Sequence, residues 1–252
     1  MIAGKYMLVL LAILFALPAS AEQLTVAVAS NFLQPARALG EKFEASSGQP
    51  VRVTTASTGK LYAQIVHGAP FDVLFAADKD RPLLLEESGL GVKGTRFTYA
   101  VGRLVLWSGD PAMSGANCGD ALVSLGKRRL AIANPLTAPY GEAAKEYLEV
   151  AGLWQAVQPQ LVYGENIAQT LHFVVSGGAN FGLIARSQAI DKRLPAATCS
   201  RLIPQEMHAP LEQQAILLRR AENNKIAAEF LAFVAGPVGR QTIEEHGYSV
   251  AQ

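Results

Sequence analysis

The sequence predicts an α/β protein organised as two lobes, each a sheet flanked by helices. Two observations predict it. Short β-branched apolar runs alternate with segments whose apolar residues recur at helical spacing, and glycines close those segments. The chain of 252 residues also lacks a linker, a low-complexity tract or a charge run that would mark one seam. A length of that order suits one large domain or two lobes, so connections are expected to cross between lobes.

The elements follow in order. Leu24 to Ser30 is a continuous apolar run, as expected of a strand buried on both faces. Phe32, Leu33, Ala36, Leu39 and Phe43 then repeat at helical spacing, with Gly48 beyond the end. Val51 to Ala56 is a second strand, Leu61 to Val66 a short helix ending at Gly68, and Phe71 to Ala77 a third strand. Leu83 to Glu87 forms a helix closed by Gly89, and Thr98 to Trp107 reads as one long strand. The theme repeats: strand Leu130 to Ala133, helix Glu142 to Val150, strand Leu161 to Tyr163, helix Ile167 to Val175, strand Phe181 to Ala185. Gln214 to Leu218 is a late strand, Lys225 to Val234 a helix stopped by Gly236-Pro237, and Gln241 to Glu245 a last short helix.

Residues 1–21 have the layout of a cleaved signal peptide. Lys5 precedes an unbroken apolar run from Met7 to Leu17, Pro18 breaks it, and Ala19-Ser20-Ala21 is a small-x-small cleavage pattern. The run is shorter than the ~20 residues a spanning helix needs. Export to the periplasm is therefore expected. Cys118 and Cys199 are the two cysteines of the chain. An oxidising compartment allows them to pair, and two separate buried thiols is the alternative.

Charge narrows the partners. The formal charge is +1, with 22 Lys+Arg against 21 Asp+Glu. Removal of Lys5 with the signal peptide brings it to zero. No basic footprint for nucleic acid is present, and a 50% apolar composition excludes a disordered chain.

Polar residues gather where strands give way to helices: Ser30-Asn31, Ser57-Thr58-Gly59, Asn134 to Tyr140, and Asn166-Ile167. In α/β sheets ligands bind at such junctions. Each offers unpaired backbone N–H groups and a partial positive charge, a combination suited to an anion. Taken singly, each Ser, Thr or Asn is an ordinary N-cap; an anion site requires that the junctions converge.

These same segments resemble the periplasmic molybdate-binding proteins of ABC importers. The resemblance is carried by Leu24-Thr-Val-Ala-Val-Ala-Ser-Asn-Phe-Leu33, Ala56-Ser-Thr-Gly-Lys-Leu-Tyr-Ala-Gln-Ile65, Gly68-Ala-Pro-Phe-Asp-Val-Leu-Phe-Ala-Ala-Asp78, Arg96 to Trp107, Ala133-Asn-Pro-Leu-Thr-Ala-Pro-Tyr-Gly141, and Gly236-Pro with Gly247-Tyr248. It runs in order along the whole mature chain. It implies a two-lobed type II periplasmic binding fold of mixed, mostly parallel sheets with the ligand in the inter-lobe cleft. The implied divisions are 22–103 and 208–252 for the first lobe and 104–207 for the second. The implied ligand is molybdate or tungstate, held by Ser30, Asn31, Ser57, Thr58, the Tyr140 hydroxyl and the Ile167 N–H, without cofactor, metal ligand or catalysis. The implied partner is a membrane ABC permease, and the protein is expected to act as a monomer. Many relatives carry a ligating Tyr late in the strand that here reads Gly182-Leu-Ile-Ala185; Tyr140 is expected to supply the hydroxyl absent at Ala185. Neutral donors suit a dianion that only accepts hydrogen bonds, and disfavour hydrogen phosphate, which must donate one.

Other constellations point less far. Ser57-Thr-Gly-Lys60 matches the Ser-x-x-Lys of serine acyl-transferases, but the Ser-x-Asn and Lys-Thr-Gly elements are missing. Gly59-Lys60 lacks the first Gly and the Ser/Thr of a phosphate loop. His67, His172, His208 and His246 show no metal spacing. Asp72, Asp78 and Asp80 are expected to shape a turn and cap a helix, and Trp107 and Trp154 to pack.

Overall fold

The computed structural model describes residues 23–115 and 117–250; the expected signal peptide lies outside the described residues. Its first half runs β1 (Leu24–Ala29), α1 (Leu33–Ser47), β2 (Val51–Ala56), α2 (Thr58–Val66), β3 (Val73–Phe75), α3 (Asp80–Glu87) and β4 (Phe97–Gly102). There follow β5 (Leu104–Ser108), α4 (Cys118–Val123), β6 (Leu130–Ala133), α5 (Pro139–Val150), α6 (Trp154–Val157), β7 (Leu161–Gly164), α7 (Ile167–Val175), β8 (Phe181–Ala185), α8 (Arg186–Ala189) and β9 (Cys199–Leu202). The chain ends with β10 (Leu211–Leu217), α9 (Lys225–Ala235) and α10 (Pro237–Glu245).

The strands form two five-stranded sheets, ordered β2-β1-β3-β10-β4 and β7-β6-β8-β5-β9. Both are mixed. The βα repeats give the parallel pairs β1/β2, β1/β3, β6/β7 and β6/β8. β10 runs antiparallel to β3 and β4, and β5 antiparallel to β8 and β9. These antiparallel strands adjoin the two crossings between sheets, at Arg103 and at residues 203–210. The run Thr98 to Trp107, expected to be one strand, is therefore two strands in different sheets. Its apolar residues are buried on both sides of Arg103, so its hydropathy shows no break.

Both faces of β1 are covered, as its unbroken apolar run requires. Leu24, Val26 and Val28 pack with Phe32, Leu39 and Phe230, while Ala27 packs with Leu61 and Leu74 on the other face. α1 contributes Leu39 and Phe43 to that core, each worth about 1.5–3 kcal/mol on full burial. It stops at Gly48, which takes a left-handed φ of 71° and donates its N–H to Glu44. In the second lobe Tyr140, Leu104, Ile132 and Leu183 share a cluster with Ala29, Ala77 and Leu211 of the first. The lobes thus meet through one continuous apolar contact.

Cys118 and Cys199 form a disulfide between α4 and β9, which leaves no free cysteine among the described residues. Trp107 is buried, and Trp154 packs at the edge of the second-lobe core under the Lys145 ammonium, 5.8 Å from the ring centroid. Asp78 caps α3 by accepting the Arg81 N–H at 2.9 Å and pairs with its guanidinium. Burial nevertheless outweighs Arg81 and holds the Asp78 carboxyl above its ordinary range. Asp72 caps β1 instead, accepting the Thr25 N–H at 2.7 Å. Replacing Cys118 and Cys199 by Ser is expected to lower unfolding stability by about 4 kcal/mol through the long loop the bridge closes. Denaturant unfolding with and without reductant measures it; identical midpoints for the two proteins under oxidising conditions would contradict it.

Candidate functional site

The six residues singled out in the sequence converge. Ser30, Asn31, Ser57, Thr58, Tyr140 and Ile167 line one inter-lobe cavity with Ala29, Ala138 and Pro139. All six are at most 7% exposed. The cavity offers about 10 Å³ to the centre of a water-sized sphere, far below the ~300–1,000 Å³ of pockets that hold drug-sized molecules. Space of this order is about that of one water and excludes a sugar or a peptide. No lining residue carries a formal charge.

Four helix starts meet at this cavity: the 3-10 turn Ser30–Phe32 that leads into α1, then α2, α5 and α7. The first three have no side-chain cap hydrogen bond. Their leading N–H groups have no partner within the helix, and each start carries a partial positive charge. Ser57 occupies the N-cap of α2 without capping it, so the plain N-cap reading fails there. Its Oγ is buried and has no hydrogen-bond partner, a costly arrangement unless an acceptor reaches it. In α5 Pro139 has no N–H, so the first one belongs to Tyr140. At α7 Asn166 Oδ1 accepts the N–H groups of Ala168 and Gln169, at 3.0 and 3.1 Å. Ile167, the first residue of the helix, keeps its N–H outside that cap.

Thr58 is prepared as a donor. Its Oγ1 accepts the Ala77 N–H at 3.0 Å, which fixes the oxygen and leaves the hydroxyl proton available. Two residues differ from expectation. Asn31 Nδ2 donates to Gln213 Oε1 at 2.8 Å and to Tyr248 OH at 3.0 Å, which uses both amide protons. Asn31 therefore has its backbone N–H, not its amide, to offer to the cavity. The Tyr140 hydroxyl accepts from Gln213 Nε2 at 3.3 Å. Its place is in a polar network between the lobes, while the Tyr140 N–H, the first of α5, has no partner within the helix. Burial, then Tyr248 beside it, pushes the Tyr140 hydroxyl well above the ordinary phenol range. Tyr99 is raised likewise, and Tyr248 to about 12, with burial the chief cause in both. All three stay protonated at neutral pH. Gln213, Tyr99 and Tyr248 were beyond sequence reading, because nothing local marks a strand glutamine as a neighbour of the site.

The lobes touch around the cavity. Gly59 N–H donates to the Thr137 carbonyl at 2.9 Å, and Lys60 pairs with Glu165 at 2.7 Å. A Cβ at Gly59 would lie 3.0 Å from the Thr137 carbonyl oxygen, so a side chain here would press the two lobes apart by a few tenths of an ångström. Ser187 Oγ reaches the Asn31 carbonyl at 3.2 Å and Arg186 Nη1 the Gly247 carbonyl at 3.2 Å. With Lys60 on Glu165 and Ser57 Oγ unpartnered, the Ser-x-x-Lys pattern has no base against its serine, which an acyl-transferase requires. No group of metal-binding side chains occurs among the described residues. Ala185, where many relatives of the family the sequence resembles carry a ligating Tyr, is buried in the cluster that contains Tyr140.

This architecture is a solute-binding protein's. The profile of the family "Bacterial extracellular solute-binding protein" matches residues 24–249, and the chain belongs to that family. It is similar to "Molybdate-binding protein ModA" of Rhodobacter capsulatus, 39% identical over 233 residues that cover 92% of this chain and 90% of the relative. The protein of the same name from Azotobacter vinelandii is 38% identical, with 94% of each chain covered. The solved Azotobacter vinelandii periplasmic molybdate-binding protein superposes with a TM-score of 0.85 at 35% identity, covering 91% of this chain and all of that one.

The two hydroxyls of α2 are expected to differ in the ligand-free protein. Ser57→Ala removes an unpartnered oxygen and should leave stability unchanged or raise it by up to about 1 kcal/mol. Thr58→Ala orphans the buried Ala77 N–H and should cost about 1–3 kcal/mol. Urea denaturation of both variants checks this, and equal losses would contradict it.

Proposed function

We propose that the protein is an exported periplasmic binding protein that captures molybdate, takes tungstate in the same site, and delivers the oxyanion to a membrane ABC permease. The observation that carries the reading is the cavity itself: the hydroxyl residues Ser30, Ser57 and Thr58 and converging helix starts surround one small enclosed space, with no formal charge in its wall. The relatives named for molybdate at 38–39% identity support the choice of ion.

The proposed ligand set is the hydroxyls of Ser30, Ser57 and Thr58 with the N–H groups of Asn31, Thr58, Tyr140 and Ile167. A tetrahedral dianion accepts at every oxygen, so a wall of donors satisfies it, while a proton on hydrogen phosphate would face other donors. Size then separates molybdate and tungstate from the smaller sulfate. Capture is hinge closure of two lobes, residues 22–103 with 208–252 against 104–207, about the crossings at Arg103 and residues 203–210. The sheet order, which draws on these segments, supports that division. The protein acts as a monomer and presents the closed pair of lobes to the permease.

Thermal unfolding of the mature protein with molybdate, tungstate, sulfate and phosphate tests the proposal. A ligand at 100 times its Kd adds about 2.7 kcal/mol of stability. Molybdate and tungstate are expected to raise the midpoint and phosphate to leave it unchanged; no shift with the first two would contradict the assignment. Each hydroxyl bond to the charged oxygens contributes about 1.5–3 kcal/mol, so Ser57→Ala and Thr58→Ala should each weaken molybdate binding by roughly 10- to 150-fold. Calorimetric titration measures this, and unchanged affinity in both would show that the contacts lie elsewhere.

A further inference from the structure

We propose that Gln213 is a positioning residue that clasps the two lobes around the oxyanion, tying Asn31 of the first to Tyr140 of the second; this rests on the oxyanion reading of the cavity. Gln213 is on β10, fully buried, and does not line the cavity. Asn31 and Tyr140, the two residues it bridges, do. Gln213 Oε1 accepts from Asn31 Nδ2 at 2.8 Å and from Tyr99 OH at 3.0 Å, and Nε2 donates to Tyr140 OH at 3.3 Å.

The orientation of the amide follows from where the Tyr248 proton goes. Tyr248 OH has two acceptors for its single proton, the Asn31 carbonyl at 2.8 Å and Ser187 Oγ at 2.9 Å. Its oxygen is then an acceptor and draws one Asn31 Nδ2 proton, at 3.0 Å. The other Asn31 proton goes to Gln213, which must therefore present Oε1 to Asn31 and Nε2 to Tyr140. A flipped Gln213 would set two N–H donors against each other at 2.8 Å. The chain of bonds is therefore directional, from the turn that opens the first half of the site to the helix that opens the second.

Space for the clasp comes from the crossing strand. Gly102 ends β4, next to Arg103 where the chain changes sheets. A Cβ there would stand 2.2 Å from Tyr140 OH and 2.6 Å from Gln213 Nε2. Its φ is not in the left-handed region, so steric room, not backbone conformation, calls for glycine at this position. The clasp thus sits beside the crossing at Arg103 and ties the two lobes together across it.

A clasp that forms on closure slows escape and leaves capture unaffected. Two variants test it: Gln213→Met, which keeps length and bulk but removes the amide, and Gly102→Ala, which leaves Gln213 intact and fills its space. Stopped-flow fluorescence with molybdate gives kon and koff, and thermal unfolding without ligand reports the fold. Both variants are expected to keep kon within about twofold and to raise koff about tenfold or more, the usual locus of affinity changes at a contact. A residue that only supports the fold would lower the ligand-free midpoint without that split. Release rates within twofold of the unmodified protein in the folded variants would overturn the proposal; if Gln213→Met fails to fold, Gly102→Ala decides. If the unmodified protein gives no signal with molybdate, the oxyanion reading fails on its own, and small-angle scattering decides the clasp. Larger radii of gyration in the variants support it, and radii equal to that of the unmodified protein overturn it.

Discussion

The proposed anion site is buried and has no formal countercharge in its wall, and the structure around it depends on that constraint. Removing a dianion from water is costly unless its oxygens are fully hydrogen-bonded. Helix starts supply such donors cheaply, since their leading N–H groups have no partner inside the helix. Each sheet brings two of them to the cleft: the turn before α1 and the start of α2 from one, the starts of α5 and α7 from the other. The absent caps on three of the four are part of the same design. A Ser or Asp side chain folded back on those N–H groups would compete with the ligand. Asn166 caps the fourth at its second and third residues and spares the first.

Selectivity and closure then share their parts. In the proposed reading, donors on two lobes surround an ion only when the lobes meet. Gly59 on Thr137, Lys60 on Glu165 and Gln213 on Tyr140 bridge the lobes around the cavity. The Lys60 pair is half-exposed on both sides, and such pairs contribute little, roughly 0–1 kcal/mol. The half-buried approach of Gly59 to Thr137 and the buried contact of Gln213 with Tyr140 carry the geometric demand instead.

Much of this was legible in the sequence, for a local reason. Ser57, Thr58 and Ile167 stand where β-branched runs give way to helical spacing, and junctions of that kind put donors at a sheet edge. Their convergence needed the fold. The hydroxyl of Tyr140 and the side-chain amide of Asn31 both turn into the inter-lobe network, which joins residues 182 and 217 positions apart in sequence. No local pattern encodes pairings at that distance. The split of Thr98 to Trp107 into β4 and β5 was hidden for another reason: both sheets bury the run, so hydropathy is continuous through the crossing. The cysteines were open between a bridge and two thiols, and only the approach of α4 to β9 decides for the bridge.

The central claim is that one oxyanion is held at the inter-lobe cavity by hydroxyls and backbone N–H groups alone. Anomalous diffraction at the molybdenum absorption edge, from crystals grown with molybdate, tests it directly. The account predicts a single strong peak among Ser57, Thr58, Tyr140 and Ile167, with donors about 2.7–3.1 Å from the molybdate oxygens and no Lys or Arg nitrogen in contact. A peak elsewhere on the protein, or one ligated by a cationic side chain, would contradict it.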